Sequence, residues 1–194
     1  MEEKKLTSTE VFNGVLIHLY RDTVELPDGN EAVREVIRHP GAVCVLPVDE
    51  NGNAYFVKQF RYAFNKVTLE APAGKLERGE DILEAAKREL REETGLTAEK
   101  IIPLGELYTT PAMIDEVIYL YLARGLHSGE QDLDEDEFIN VEIIPLTKAA
   151  EMVMNGEIKD AKTQTVILKA EKTERTGIAP RFHTRKTERT VGAA

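Results

Sequence analysis

Between residues 74 and 96 a glycine-bounded loop runs into a helix with more acidic groups on one side than a helix ordinarily tolerates. This segment restricts the fold more than any other. It reads Gly74-Lys75-Leu76-Glu77-Arg78-Gly79-Glu80, then residues 81–87, then Arg88-Glu89-Leu90-Arg91-Glu92-Glu93-Thr94-Gly95-Leu96. At roughly 100° per residue, Leu83, Ala86 and Leu90 form a stripe suited to packing on a sheet, and Glu89, Glu92 and Glu93 cluster beside it on a face expected to be exposed. Like charges three and four residues apart cost a few tenths of a kcal/mol per pair unless a cation sits among them. Oxygen donors without Cys or His in the cluster select Mg²⁺, or Mn²⁺, over Zn²⁺. A solvated acidic face is the simpler reading of three glutamates alone. Against it, Gly74 and Gly79 permit a tight loop before the helix, Glu80 lies within reach of Arg88, and Gly95 supplies a C-cap. Loop, helix and ligand cluster are specified together.

Around this segment the chain alternates mostly in strand fashion. Residues 11–36 read as a small antiparallel meander with a turn at Pro27-Asp28-Gly29-Asn30, where Gly supplies the positive φ. Strands are expected at Ala42 to Pro47, Ala54 to Gln59, Ile101 to Leu107, Ile118 to Ala123 and Phe138 to Ile144. Helical periods follow at Leu146 to Met154, stopped by Asn155-Gly156, and at Asp160 to Lys172. From about Thr173 to Ala194 no period is sustained, and the Thr, Arg and Lys content reads as a flexible tail, with no assigned partner. The resulting division is a meander at 1–38, a main domain at 39–172 and a tail at 173–194.

The 194 residues suit one domain. The single cysteine, Cys44, lies in an apolar run and reads as core. Asp and Glu outnumber Lys and Arg 35 to 25, for a net charge of −10, which disfavours nucleic acid as a partner. No uncharged apolar stretch approaches the roughly 20 residues of a membrane span, and Met1 to Phe12 carries no signal-peptide pattern. The expectation is a cytoplasmic protein without a membrane partner.

The segment Gly74 to Leu96 resembles the Nudix hydrolases, whose signature G-x5-E-x7-R-E-U-x-E-E-x-G-U, with U bulky aliphatic, it meets without departure. From this chain's own residue frequencies, a chance match is on the order of one in a million. The resemblance implies an α/β Nudix fold, an α/β/α sandwich around a mixed sheet, with divalent metal and hydrolysis of a nucleoside diphosphate linked to another moiety. By position it makes Glu89 and Glu93 metal ligands with Glu92 contributing to catalysis, and Gly74, Glu80, Arg88 and Gly95 the structural frame of the box.

Within the family, the layout from the meander through Glu70-Ala71-Pro72-Ala73-Gly74 to Asp160-Ala161-Lys162-Thr163, with Pro111 downstream of the box, is similar to bacterial ADP-ribose pyrophosphatases. Ala112 departs from the glycine usual after that proline. The likeness implies a further metal ligand in the backbone carbonyl of Ala73. In the acidic run at residues 132–137 it implies Glu135 as general base and Glu137 as ligand. Arg61, Glu35 and Glu116 are the implied substrate contacts, and the meander is the implied homodimer element. The alternatives are another nucleoside diphosphate derivative, such as a sugar nucleotide or dinucleotide, or a non-catalytic ADP-ribose sensor, against which the intact set of box carboxylates argues.

Overall fold

The computed structural model describes residues 1–133 and 137–177. Strand β4 (Ala42–Pro47) is its organising element, because it is buried on both faces and its side chains alternate between two cores. Val43 and Val45 face one side, where they pack with Ala85, Ala86 and Leu90 of helix α1 (Ile82–Thr94). Ala42, Cys44 and Leu46 face the other, against helices α2 (Leu146–Met154) and α3 (Ala161–Thr176), through Ala149, Val153, Val166, Ile167 and Ala170. A period of two in a fully apolar strand thus builds an α/β/α sandwich.

The sheet is mixed. β4 runs parallel to β9 (Val117–Ser128) and antiparallel to the short β7 (Ala73–Lys75), while β8 (Leu96–Tyr108) pairs antiparallel with β9, in the order β7-β4-β9-β8. A second sheet takes the order β10-β5-β6, from β10 (Asn140–Pro145), β5 (Asn53–Arg61) and β6 (Lys66–Glu70). The N-terminal meander is β1 (Lys4–Asn13), β2 (His18–Glu25) and β3 (Glu31–Arg38), all antiparallel. It joins the body where Ile37 exchanges backbone hydrogen bonds with Met113 and Asp115, and Arg38 bridges Asp22 at 2.9 Å and Asp115 at 3.3 Å.

Several elements differ from expectation. The meander begins earlier, with β1 exposed along its whole length. β6 and β7 carry too few residues, beside Pro72, to show a period. Helix α3 runs past Lys172 to Thr176, where Gly177 caps it at φ 65° and its N–H reaches the Thr173 carbonyl; the rest of the expected tail, residues 178–194, lies outside the described residues. Leu83, expected in the buried stripe of α1, is exposed, and the buried face is Ala85, Ala86, Glu89, Leu90 and Glu93. Two acidic residues therefore lie on the packed side of the helix. Among the described residues, no helix is long and apolar enough to cross a membrane.

Candidate active site

Helix α1 starts and stops on local signals. The Asp81 carboxylate accepts from the backbone N–H groups of Leu83 and Glu84, capping the N-terminus, and Gly95 adopts φ 70° at the C-cap. Gly95 is required twice over, since a Cβ there would also lie 2.8 Å from the Gly129 carbonyl oxygen, to which the chain comes close enough for the Gly129 N–H to donate to Gly95 O at 2.7 Å. The chain entering the acidic run is thereby docked on the end of α1. Asp132 N–H donates to the Glu92 carbonyl at 3.1 Å, Arg91 bridges the Asp132 carboxylate at 3.1 Å, and the Gln131 side-chain amide donates to the Glu93 carbonyl.

Arg88 gathers the acidic groups of the box. Its Nε and Nη2 donate to the two oxygens of Glu80 at 2.8 and 3.0 Å, and its Nη1 donates to Glu89 at 2.7 Å and Glu92 at 2.9 Å. Nη2 also reaches the Lys75 carbonyl at 3.2 Å, pinning loop to helix. The hydrogen bond from Arg88 holds Glu80 below the usual carboxylate range, and the same contact raises Arg88 further.

Glu89 and Glu93 are 8% and 4% exposed, not on the open face that periodicity alone suggests. Gly74 makes room for this: a Cβ at residue 74 would fall inside the Glu89 carboxylate. Ala73 lies alongside, its N–H donating to Glu93 Oε2 at 3.0 Å. Burial pushes the Glu93 carboxyl up to about 8 against the hydrogen bond from Ala73, and the charges of Glu89 and Glu137 add to the rise. Glu89 is also raised, by burial first, with Glu92 and Glu137 contributing repulsion. Glu89 and Glu93, one turn apart on α1, are thus buried beside Ala73 and Gly74, and the charge of Glu137 raises both. Burial and mutual repulsion would be relieved by a cation, and an all-oxygen donor set fits a hard divalent ion. Among the described residues no three acidic, His or Cys groups stand in a ready coordination shell; Arg88 and the Ala73 amide occupy carboxylate oxygens instead.

The remaining candidates scatter around this centre. Arg61, at the end of β5, is clamped by Glu70 rather than loose on the surface, with Nε at 2.7 Å and Nη2 at 2.6 Å from its oxygens, and the charge of Glu93 reaches it. Glu116 accepts from Thr109 Oγ1 at 2.7 Å and lies 3.6 Å from His39, beside a cavity of about 220 Å³ formed with Val36, Pro111 and Met113. Burial keeps the pKa of His39 below its ordinary value. Glu35 is exposed on β3, paired across the strands with Arg21 of β2. Glu135 lies outside the described residues. Sequence reasoning missed Glu70 and Lys162 as members of this environment; the only signal was their place in the two short segments, residues 70–74 and 160–163, on which the resemblance to ADP-ribose pyrophosphatases rests in part.

The description "NUDIX domain" matches residues 38–164. The chain belongs to the Nudix hydrolase family. A second family model, "Nucleoside diphosphate sugar hydrolase N-terminal domain", matches residues 3–37. The Nudix chain is 44% identical over 169 residues to an ADP-ribose pyrophosphatase of Bacillus subtilis (strain 168), covering 86% of this chain and 91% of the relative. It is 42% identical over 164 residues to a methanol dehydrogenase activator of Bacillus methanolicus, covering 84% and 89%. A crystal structure described as an ADP compounds hydrolase shares the fold at TM-score 0.79 and 21% identity, over 91% of this chain and 97% of that one.

The Nudix loop yields a direct test of the cradle. Gly74→Ala is expected to weaken Mg²⁺ binding by about tenfold or more and to cost about 1–3 kcal/mol of stability, since the added methyl must displace the Glu89 carboxylate. Calorimetric titration with Mg²⁺ checks this, and unchanged affinity would show that Glu89 is not held against residue 74 for metal.

Proposed function

We propose that this Nudix hydrolase cleaves the pyrophosphate of ADP-ribose to AMP and ribose 5-phosphate, using Mg²⁺, with Mn²⁺ as a substitute. The observation that carries the reading is the burial of Glu89 and Glu93 on α1, Glu93 against the Ala73 N–H and Glu89 against Gly74. The likeness to the Bacillus subtilis ADP-ribose pyrophosphatase supports the substrate. Bound divalent metal would acidify water and neutralise charge on the leaving phosphate. Glu89, Glu93, Glu137 and the Ala73 carbonyl would hold it there. Glu135 accepts the proton of the attacking water, and Glu92, fixed by Arg88, keeps a further negative charge at the rim. Arg61 meets the phosphates, for which its partly exposed guanidinium is suited. Glu116, beside the cavity, and Glu35 contact the rest of the substrate.

The protein acts as a cytoplasmic homodimer in this reading, with residues 1–38 as the dimer element and 39–172 as the hydrolase domain. The boundary between the two family models, at residues 37 and 38, supports that division. So do the exposed apolar side chains Leu6, Val11, Phe12, Val15, Leu16 and Ile17, more than a three-stranded meander covers by itself. Sedimentation is expected to give a dimer at micromolar concentration, and a monomer there would contradict the assignment.

A second reading, hydrolysis of a sugar nucleotide, is favoured by the description of the N-terminal family model. The ratio of kcat/KM for ADP-ribose to that for a nucleotide sugar such as GDP-mannose separates the two. A ratio above about ten supports the first and a ratio below about one tenth the second.

A further inference from the structure

Arg61 is embedded in a network of four charges from three elements, β5, β6 and the start of α3. Its partner Glu70, at the end of β6, is 2% exposed. Besides the two bonds from Arg61, the Glu70 carboxylate accepts from Thr68 Oγ1 at 2.6 Å and from Lys162 Nζ. Lys162, in the first turn of α3 and itself largely buried, also bridges Asp160 at 3.0 Å. Asp160 in turn caps α3, accepting from the Thr163 backbone N–H and hydroxyl at 3.0 and 2.6 Å, and Thr163 Oγ1 accepts from the Ala71 N–H at 2.8 Å. The stretch from Glu70 to Ala73 is therefore tied to α3 two residues before the backbone that flanks Glu93. Two cations and two anions balance, with Glu70 and Lys162 buried and the Arg61 guanidinium still partly open to solvent.

Of the five N–H donors of a guanidinium, the clamp on Glu70 uses two, leaving three for an anion. A free arginine side chain would have to be immobilised on each encounter, at a cost in rotamer freedom. Fixing it beforehand removes that cost from binding, which acts on ground state and transition state alike.

We propose that Glu70 is a positioning residue that holds Arg61 in the orientation that receives the substrate phosphates, with Thr68 and Lys162 holding Glu70. This rests on the reading of Arg61 as a phosphate contact given above. Glu70 touches no substrate; it acts through Arg61, and its removal shows in KM before kcat.

The test is a double-mutant cycle in the full-length protein with ADP-ribose and saturating Mg²⁺. Arg61→Ala is expected to raise KM about 10- to 100-fold, and Glu70→Gln, which keeps the shape but deletes the charge, about tenfold, with kcat changed less than about threefold. In the Arg61→Ala background, Glu70→Gln should add less than about twofold, because the residue it acts through is gone. Thr68→Val, which deletes one bond to Glu70 and leaves every charge in place, should raise KM about threefold, and it carries the test if Glu70→Gln does not fold. Multiplicative losses in the cycle, or a fall in kcat at constant KM, would overturn the proposal and leave Glu70 a purely structural residue. A normal KM in Arg61→Ala would overturn it as well. Absence of turnover in the unaltered protein would instead sink the hydrolase reading, and this one with it.

Discussion

Glu93→Gln is expected to lower turnover at least about a hundredfold while leaving the metal-free fold at least as stable as the unaltered protein. The first half follows from the proposed role of Glu93 as a metal ligand beside Glu89. The second follows from the sign of the shift. A carboxyl raised from 4.5 to about 8 binds its proton more tightly folded than unfolded. In the metal-free protein its ionisation therefore opposes folding increasingly as pH rises from 4.5 through about 8, and a neutral amide escapes that cost. The amide also keeps an acceptor for the Ala73 N–H. Steady-state turnover at saturating Mg²⁺ checks the first half and thermal unfolding with and without Mg²⁺ the second: the unaltered protein should gain stability on adding Mg²⁺ and the variant little. A variant that melts well below the unaltered protein without metal would show that Glu93 serves packing.

The second large effect is expected in the acidic run. Glu135→Gln should lower kcat by about 10² to 10⁴ with little change in Mg²⁺ dependence, whereas Glu137→Gln should raise the Mg²⁺ requirement. A base acts only as the proton leaves, but a ligand contributes to the charge balance before reaction too. The structure bears on the second residue, since the charge of Glu137 acts on both Glu89 and Glu93. It also anchors the near end of the run to α1 through Gly129, Gln131 and Asp132. Like responses of the two variants, or greater damage from Asp134 or Asp136 substitutions, would show that the register is displaced.

What the sequence reveals depends on how local the deciding contacts are. β4 and α2 have the bounds that pattern predicts, because a six-residue apolar run and a period closed by Asn155-Gly156 depend on nearest neighbours. The box frame is legible for the same reason: Glu80, Arg88 and Glu92 lie within twelve residues and find one another across one loop and one helix. The parallel pairing of β4 with β9 joins segments some seventy residues apart, and no local pattern encodes it. Burial of Glu89 and Glu93 is hidden in the same way. Hydrophobicity assigns Leu83 to the core and the glutamates to solvent, but a backbone amide from Ala73, the space left by Gly74 and the cation of Arg88 make a packed carboxylate tolerable. Glu70 and Lys162 are 92 residues apart, and each alone reads as an ordinary surface charge.

The central claim is that the buried carboxylates of α1 form a metal site that hydrolyses the pyrophosphate of ADP-ribose. Its most direct test is the identity of the products when the protein is incubated with ADP-ribose, with Mg²⁺ and then with excess EDTA. AMP and ribose 5-phosphate in equal amounts with Mg²⁺, and none with EDTA, is the expected result. Release of ADP with ribose, or turnover indifferent to EDTA, would contradict it.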